Sequence, residues 1–399
     1  EEISYRNDTN RNYLIIGGCA AAIAAAEAIR QRDTTGTITL LSAEDHLPIH
    51  RPMLTKGIDV AVNETETILA HPAAWYAERD IKLHLGCTAT AIHRETKTVE
   101  TADGTAYPYD KLILATGAEC FVPPIPGHDK QGVITVRHLS DARDMWQRMK
   151  TARNAVVIGG GVLGLEAAAE FMHSAIPVAV LEATPQIMGR QIDETSAGIL
   201  MDIMRKTHID CDQGITVAAI EGDESVTGVR LGDGRVFPAD VVVLSCGARA
   251  NIQLAADVGI QTDRAITVNM FMETSQPDIY ACGDCCSYDG VNYQLVQEAT
   301  EQGRVAGANA SGDRISYANH LFGTHIEGIG AAMFAMGDPG KSPTLHYKTV
   351  TTTDEVENRH ERYWFSGGAI QGAVVINADE KIPEITTWVE TRARHEDIC

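Results

Sequence analysis

The sequence lacks a long apolar run, a basic run and any group of cysteine and histidine with the paired spacing of a zinc site. Its longest apolar run, residues 13–26, is rich in glycine and alanine and is shorter than the roughly 20 residues that a membrane-spanning helix needs. We therefore expect neither a membrane span nor a metal site in this chain.

Positive charge is scarce. The 399 residues contain 33 Lys and Arg against 54 Asp and Glu, which gives a formal net charge of -21. Such a chain is a poor partner for nucleic acid or an anionic membrane, since both attract basic surfaces. The hydrophobic fraction of 44% and the charged fraction of 22% are typical of a globular protein. The length predicts two or three domains.

A secretory signal is also lacking. Glu1, Glu2, Asp8 and Glu27 surround the apolar run, and no cleavage site follows it. The nine cysteines are an odd number scattered along the chain, unlike the cysteine framework of a small secreted protein. We therefore expect reduced thiols and a cytoplasmic location. The chain begins with Glu rather than Met, which leaves room for an upstream part.

An internal repeat organises the chain. Residues 13–29 (YLIIGGCAAAIAAAEAI) and residues 155–171 (AVVIGGGVLGLEAAAEF) each contain an apolar run of strand length, a glycine cluster and an alanine-rich helical stretch. This is the strand–turn–helix start of a dinucleotide-binding unit. Because the pattern occurs twice, the sequence predicts two nucleotide sites.

Each copy continues as such a unit requires. A second strand is predicted at residues 37–41 after the first copy and at residues 178–182 after the second. Asp-Gly pairs at residues 103–104 and 233–234 predict hairpin turns. After about Arg314, two further strands and a final helix predict a small unit. The predicted fold class is α/β, with two Rossmann-like dinucleotide-binding domains and a small C-terminal α+β domain.

The second copy has the complete glycine pattern. Gly159 allows the tight turn, Gly161 lets the backbone approach a pyrophosphate, and Gly164 lets the helix pack closely on the strand. Glu182, at the end of the next strand, is placed to accept hydrogen bonds from an adenosine ribose and to repel a 2′-phosphate, which favours NADH over NADPH. The alternative is a glycine-rich junction that binds nothing.

The first copy departs from this pattern. Gly17 matches Gly159, but Cys19 stands where the second copy has Gly161, and Ala22 replaces the third glycine. Alanine is tolerated at that third position. The side chain of Cys19 occupies space that the approach of the backbone to a pyrophosphate needs, so either the phosphates shift or the affinity falls.

Further motifs carry a resemblance to a family. Residues 47–56 (LPIHRPMLTK) resemble the segment that lies beside the flavin in that family. Residues 112–118 (LILATGA) resemble the family's strand that returns from the first lobe, and residues 274–284 (TSQPDIYACGD) resemble its second flavin fingerprint. Residues 301–303 (EQG) and 337–341 (GDPGK) follow in the expected order. The chain resembles the FAD-dependent pyridine nucleotide-disulfide oxidoreductases, and among them the NADH:rubredoxin reductases and the FAD/NAD part of nitrite reductase large subunits.

The resemblance implies three domains: an FAD-binding domain formed by residues 1–117 and 248–317, an NAD-binding domain at residues 118–247, and a C-terminal interface domain at residues 318–399. By the family pattern, Asp284 binds the FAD ribitol. The alternative is an Asx turn at the end of a strand.

The resemblance also implies catalytic residues, although the flavin N5 does the chemistry. Arg51 and Lys56 would lie near the flavin pyrimidine and N5, and Glu166 would lie beside the nicotinamide. The alternatives are a solvated basic pair and a carboxylate on a helix surface. Either Glu44 or Asp45 would hold the FAD ribose.

The full sets contain both the motif residues and the residues that follow from the resemblance. The residues predicted for FAD are Gly17, Gly18, Cys19, Ala20, Ala21, Glu44, Arg51, Pro52, Lys56, Ala89, Ala115, Thr116, Gly117, Gly283, Asp284 and Ala299. The residues predicted for NADH are Gly159, Gly161, Val162, Leu163, Gly164, Glu166, Glu182, Arg190 and Gly247.

The implied activity is transfer of electrons from NADH through FAD to an external carrier such as a rubredoxin. Residues 45–56, which carry the redox cysteine in disulfide reductases, contain none. Cys282 and Cys285 have CxxC spacing but lie inside the flavin fingerprint, and we interpret them as packing residues. Two alternatives stay open: an electron-relay or scaffold subunit of a larger redox complex, and an NADH oxidase. A homo-oligomer is among the states that the sequence leaves open.

Overall fold

The computed structural model describes residues 9–398. Glu1, Glu2, Asp8 and Cys399 lie outside the described residues. None of the helices between residues 9 and 398 has the length and apolar composition that a bilayer-spanning segment needs. The α-helices are α1 Ala20–Arg32, α2 Ile58–Asn63, α3 Ala73–Glu78, α4 Leu139–Met149, α5 Val162–His173, α6 Glu194–Lys206, α7 Gln253–Ala256, α8 Val296–Ala310, α9 Ile382–Thr391 and α10 His395–Ile398.

Each copy of the repeat supplies the central strand of a five-stranded parallel sheet. The first sheet has, in spatial order, the strands Ile279–Ala281, Lys111–Leu114, Asn12–Ile16, Thr37–Leu41 and Ile81–His84. The second has Ile209–Gln213, Val178–Glu182, Ala155–Ile158, Val241–Leu244 and Val133–Ile134. Ala155–Ile158 is buried at every position, as expected for a central parallel strand. The predicted α/β fold class is confirmed.

Small residues bring α1 and α8 into close contact. A Cβ atom at Gly303 would overlap the carbonyl oxygen of Ala21, and a Cβ atom at Gly307 would overlap that of Ala25. The two helix backbones can therefore approach each other only because these positions carry no side chain. This crossing fixes the second half of α8 against the helix that follows the first glycine motif.

Antiparallel sheets complete the described part of the chain. The two Asp-Gly hairpin turns are confirmed, since each joins the last two strands of a three-stranded sheet. These sheets contain Ala89–His93, Thr98–Thr101 and Ala106–Pro108, and Val217–Glu221, Gly228–Leu231 and Val236–Pro238. The C-terminal sheet contains, in spatial order, Thr324–Ile326, Met333–Gly337, Ala369–Ile376, Arg359–Ser366 and Lys348–Asp354. A two-stranded pairing joins Ala118–Cys120 with Ala248–Ala250, and a parallel one joins Ile266–Val268 with Cys286–Tyr288.

The chain forms two compact units. One contains the described residues up to Arg51 together with residues 64–119 and 248–320. The other contains residues 52–63 and 120–247 and the described residues from Leu321 onward. The three-domain division and its boundaries stay a prediction.

Candidate functional site

The first glycine motif is a turn that side chains would block. A Cβ atom at Gly17, where φ is +139°, would overlap the carbonyl oxygen of Ala115. A Cβ atom at Gly18 would overlap the hydroxyl oxygen of Ser42. Two predicted FAD residues, Gly17 and Ala115, are thus brought together. Glycine is required at positions 17 and 18 by the packing of the fold itself.

Cys19 is the residue that caps the start of α1. Its backbone is extended, with φ of -126° and ψ of -169°, and Ala20 and Ala21 follow as the first residues of the helix. The N–H groups of a first helical turn have no partner within their helix, so they form an anion-binding position. The three predicted residues therefore lie where a pyrophosphate would bind.

Glu44 and Arg51 form an ion pair in the same unit. An Nη of Arg51 lies 2.9 Å from Oε2 of Glu44. Burial lowers the pKa of Arg51, but the Glu44 carboxylate outweighs it and holds that pKa above its ordinary value. A negative charge on Cys19 would act in the same direction. Asp45, the alternative ribose ligand, is exposed. The choice between the two carboxylates stays a prediction.

The second flavin fingerprint lies between α1 and α8. A Cβ atom at Gly283, where φ is +78°, would lie 2.9 Å from Cβ of Ala21 and 3.6 Å from Cβ of Ala299. Asp284 follows and is half-buried, and its carbonyl oxygen accepts a hydrogen bond of 3.0 Å from Asn292. Predicted FAD residues from three separate motifs therefore meet in one place.

The remaining predicted FAD residues of this unit lie on ordered backbone. The side chains of Thr116 and Asn251 each donate a hydrogen bond of 2.8 Å to the other's carbonyl oxygen. The N–H of Asn251 donates to the carbonyl of Gly117 at 2.9 Å. These bonds fix the segment that follows Ala115. Ala89 is half-buried at the start of its strand and packs against the core of the unit.

In the second glycine motif, the packing of the fold requires glycine at two positions but not at the third. A Cβ atom at Gly159 would overlap the carbonyl oxygen of Ser245, and one at Gly164 would overlap that of Gly159. A Cβ atom at Gly161 would meet nothing within 4 Å. The protein itself leaves this space open, which fits contact between the backbone and a pyrophosphate. The role of Gly161 in binding a nucleotide stays a prediction. Cys19 stands at the equivalent position of the first motif.

The other predicted nucleotide residues lie at the start of α5 or at exposed and open positions of the same unit. Val162 and Leu163 are the first two residues of α5, and Leu163 is 47% exposed. Gly247 has φ of +96° and, like Gly161, has nothing within 4 Å of a built Cβ atom. Arg190 is exposed. These residues fit a dinucleotide, since they leave open space at a helix start.

Glu182 is held by backbone N–H groups. Its Oε2 accepts a hydrogen bond of 2.6 Å from the N–H of Gly160, and its Oε1 accepts one of 2.7 Å from the N–H of Thr184. The carboxylate is therefore oriented directly beside the glycine motif. This is the position from which an acidic residue binds an adenosine ribose.

The predicted catalytic residues are in contact. Glu166, on α5, is 3% exposed; its Oε2 accepts a hydrogen bond of 2.8 Å from the hydroxyl of Thr55, and its Oε1 lies 3.3 Å from Nζ of Lys56. Burial raises the pKa of Glu166, while Thr55 and Lys56 lower it. Pro52 begins the same segment, and its carbonyl oxygen accepts a hydrogen bond from the N–H of Thr55. The catalytic roles of these residues stay a prediction.

The CxxC spacing places its cysteines in the core. Cys282, Cys285 and Cys286 are each 0% exposed, and burial raises the pKa of all three thiols. The sulfur of Cys285 lies 3.3 Å from the carbonyl oxygen of Cys282. None of the cysteines among the described residues forms a disulfide. Such thiols are poor nucleophiles for disulfide exchange, because the thiolate is the reacting form.

Sequence reasoning missed the contacts that two residues, Thr55 and Glu170, make around Lys56. Thr55 carries no motif signal of its own beyond the segment in which it lies. Glu170 follows Glu166 by one helical turn on α5, so its i,i+4 spacing was the available signal. Its carboxylate accepts hydrogen bonds from the N–H groups of Gly57 at 2.7 Å and Ile58 at 3.2 Å.

A cluster near the C terminus also has no sequence signal. Nε2 of His325 lies 3.6 Å from a carboxylate oxygen of Glu327 and 3.5 Å from one of Asp379. The ligand-type atoms of all three lie within 4.8 Å of one another. Protonated His325 would pair with both carboxylates, and Glu327 is exposed, so we interpret the group as a surface ion-pair cluster.

Comparison with known proteins agrees with this geometry. The family model described as pyridine nucleotide-disulphide oxidoreductase matches residues 11–303. A nitrite reductase [NAD(P)H] from Bacillus subtilis is 33% identical over 387 residues, which cover 95% of this chain and 47% of the relative. The chain thus spans about half the length of that relative.

Solved structures share the fold over nearly the whole chain. A ferredoxin reductase from Rhodopseudomonas palustris superposes with a TM-score of 0.87 at 27% identity, covering 97% of this chain and 98% of that one. The NADH:rubredoxin oxidoreductase from Clostridium acetobutylicum superposes with a TM-score of 0.79 at 26% identity, covering 98% and 97%. The predicted resemblance is confirmed.

The family comprises FAD- and NAD(P)H-dependent oxidoreductases, which confirms at family level the two cofactors that the sequence predicts. With two glycine motifs at helix starts, a fingerprint between α1 and α8, and a family model that spans both motifs, this chain belongs to the pyridine nucleotide-disulphide oxidoreductase family.

Proposed function

We propose that the chain is an NADH-dependent flavoprotein that passes electrons from NADH through FAD to a small electron-carrier protein such as a rubredoxin, without a redox-active disulfide. One observation carries this proposal: residues 45–56 contain no cysteine, and Cys282, Cys285 and Cys286 are buried with raised pKa values. A disulfide relay needs an accessible thiolate. Electrons would therefore leave directly from the flavin.

The first motif supplies the FAD contacts. The start of α1 would bind the pyrophosphate through backbone N–H groups, with Arg51 as a nearby positive charge that is shared with Glu44. Asp284 would accept hydrogen bonds from the ribitol. The absence of a side chain at Gly283 lets α1 and α8 close around that position. When bound, FAD supplies the chemistry of accepting a hydride and releasing single electrons.

The second motif supplies the donor site. The open space at Gly161 and Gly247 admits the nucleotide backbone, and Glu182 would accept hydrogen bonds from the ribose hydroxyls. A 2′-phosphate beside this carboxylate would be repelled, so NADH is the expected donor.

The ion pair of Lys56 and Glu166 would set the charge where hydride is transferred. By the family pattern, the ammonium acts at the flavin N5 and the carboxylate acts beside the nicotinamide. A buried carboxylate is stable only if it is paired and hydrogen-bonded, and Lys56 and Thr55 meet that need for Glu166. Lys56, whose side chain is 40% exposed, also reaches solvent.

The proposed path is tested by alkylating the accessible thiols of the purified protein and then measuring NADH-dependent reduction of a rubredoxin and of a ferredoxin. Direct transfer predicts that turnover is largely retained. Loss of carrier reduction while NADH still bleaches the flavin would place a cysteine on the path. Cysteines that form no disulfide among the described residues also support a cytoplasmic location.

A second candidate is an electron-relay unit within a larger redox protein. It is favoured by the match to only 47% of the nitrite reductase. In that case NADH would reduce the flavin, but isolated carriers would be reduced slowly. Rapid oxygen consumption in the absence of any carrier would instead indicate an NADH oxidase.

A further inference from the structure

Two carboxylates on one face of α5 contact four consecutive residues, 55–58, which we call the Lys56 segment. Glu166 contacts Thr55 and Lys56 through side chains. Glu170, one turn further along the helix, accepts hydrogen bonds from the backbone N–H groups of Gly57 and Ile58 at 2.7 Å and 3.2 Å. The segment is therefore bound on both sides of Lys56.

The backbone at Gly57 is shaped for this contact. Its φ of +106° lies in the left-handed region, while a built Cβ atom would meet nothing within 4 Å. The glycine is thus required for backbone conformation and not for space. This turn presents two successive N–H groups to one carboxylate. Leu54 and Ile58, which are 2% and 1% exposed, anchor the segment in the core on either side of it.

Lys56 itself has little packing. Its side chain is 40% exposed, so the position of the ammonium depends on its backbone and on Glu166. Thr55 fixes the backbone before Lys56, and Glu170 fixes the backbone after it. Glu170 is 9% exposed, and it has no direct role in binding the ammonium among the contacts of the described residues.

We propose that Glu170 is a positioning residue that holds residues 57 and 58 so that the ammonium of Lys56 stays beside Glu166. This inference rests on the proposed function, in which Lys56 acts at the flavin. In this proposal Glu170 affects hydride transfer only indirectly, through its hydrogen bonds with the backbone N–H groups of Gly57 and Ile58.

If Glu170 acted only through its charge, removing that charge would strengthen the pairing of Glu166 with Lys56, which is opposite to the effect of releasing the loop. The negative charge of Glu170 raises the pKa of Glu166, so removing it would favour the ionised Glu166 and strengthen its pairing with Lys56. Releasing the loop would weaken the same pairing. Substitution of Glu170→Gln therefore separates the two explanations, because it removes the charge and disturbs the hydrogen bonds with almost no change in volume.

The test compares wild type, Glu170→Gln, Lys56→Met and the double variant, with Glu194→Gln as a control on an exposed helical glutamate of the same unit. The amides of residues 57 and 58 are followed by hydrogen exchange, and flavin reduction by NADH is followed by stopped flow. In Glu170→Gln we expect exchange at these amides to rise about tenfold and the limiting reduction rate to fall about tenfold, with unchanged affinity for NADH. Glu170→Gln should have no further effect when Lys56 is already Met.

A wild-type reduction rate in Glu170→Gln, or the same fall in the Lys56→Met background, would overturn the proposal. If NADH does not reduce the flavin of the wild-type protein, the proposed function fails instead. Should Glu170→Gln not fold, Gly57→Ala serves as the second variant, because it strains the same turn without touching α5. Its rate is expected to fall as well, and a wild-type rate in Gly57→Ala would contradict the proposal.

Discussion

The ammonium of Lys56 lies 3.3 Å from the buried carboxylate of Glu166, although Lys56 belongs to the flavin-side segment and Glu166 to the helix of the second glycine motif. This contact joins residues that the resemblance assigns to two different cofactors. Lys56 and Thr55 lower the pKa of Glu166, but burial outweighs them and the pKa stays raised. The protonation of Glu166 therefore depends on Lys56.

Replacing Lys56 by Met should raise the pKa of Glu166 further, because it removes an interaction that lowers it. If ionised Glu166 supports hydride transfer, the acid limb of the pH profile of flavin reduction moves to higher pH, and the rate at neutral pH falls on the order of tenfold. Stopped-flow reduction by NADH across pH measures this. The exposed Lys82→Met is the control, and an unshifted acid limb in Lys56→Met would contradict the assignment.

Glu298 predicts a pH dependence of stability. It is 2% exposed, and burial raises its pKa above the ordinary 4.5. Between these two pKa values the folded state binds more protons than the unfolded state, so the free energy of unfolding falls as pH rises through that window. Glu298→Gln removes the titrating group, so in this variant Glu298 no longer causes the free energy of unfolding to fall with rising pH. Relative to wild type, the variant should gain about 1.4 kcal/mol for each unit by which the pKa is raised, developing as pH increases.

Urea unfolding at several pH values between the acid and the neutral range checks this difference. The Gln side chain can still accept the hydrogen bonds that Tyr293 and Gln294 donate to Glu298. The exposed Glu66→Gln should show no such trend. A stability difference between Glu298→Gln and wild type that is independent of pH would show that Glu298 does not titrate in this way.

Local sequence patterns predicted the elements of the fold well. The two glycine motifs gave parallel sheets, and both Asp-Gly pairs gave hairpins, because each of these signals lies within a few neighbouring residues. The contact of Glu170 with residues 57 and 58 could not be predicted in this way. It depends on where a distant segment packs, and on backbone N–H groups that every residue type except proline carries.

The crossing of α1 and α8 was likewise not predicted, since glycine in a helix has no single meaning. Gly303→Ala should destabilise the protein by roughly 1–3 kcal/mol, because its Cβ atom would overlap the backbone of Ala21. Gly198→Ala, at an open position of α6, is the matched control and should stabilise the protein by about 0.5–1 kcal/mol. Chemical denaturation measures both. Equal effects of the two substitutions would contradict the close crossing.

Cys19 should weaken FAD binding. A Cβ atom built at the equivalent position of the second motif, Gly161, would meet nothing within 4 Å. We therefore expect the side chain of Cys19 to crowd the approach of a pyrophosphate to the first motif. Cys19→Gly should tighten FAD binding by on the order of 1 kcal/mol, or about fivefold in Kd. Titration of the FAD-free protein with FAD measures it, with Cys120→Ser as a control thiol in the other unit. Equal or weaker binding in Cys19→Gly would contradict the crowding argument.

Anaerobic titration of the purified flavoprotein with NADH, followed by its visible spectrum, shows whether NADH reduces a bound flavin and whether a disulfide takes part. We expect one equivalent of NADH per flavin to bleach the flavin completely and the number of titratable thiols to stay unchanged. A requirement for a second equivalent, with two new thiols appearing, would show instead that a disulfide accepts electrons. A protein that cannot be reconstituted with FAD would show that no flavin is bound.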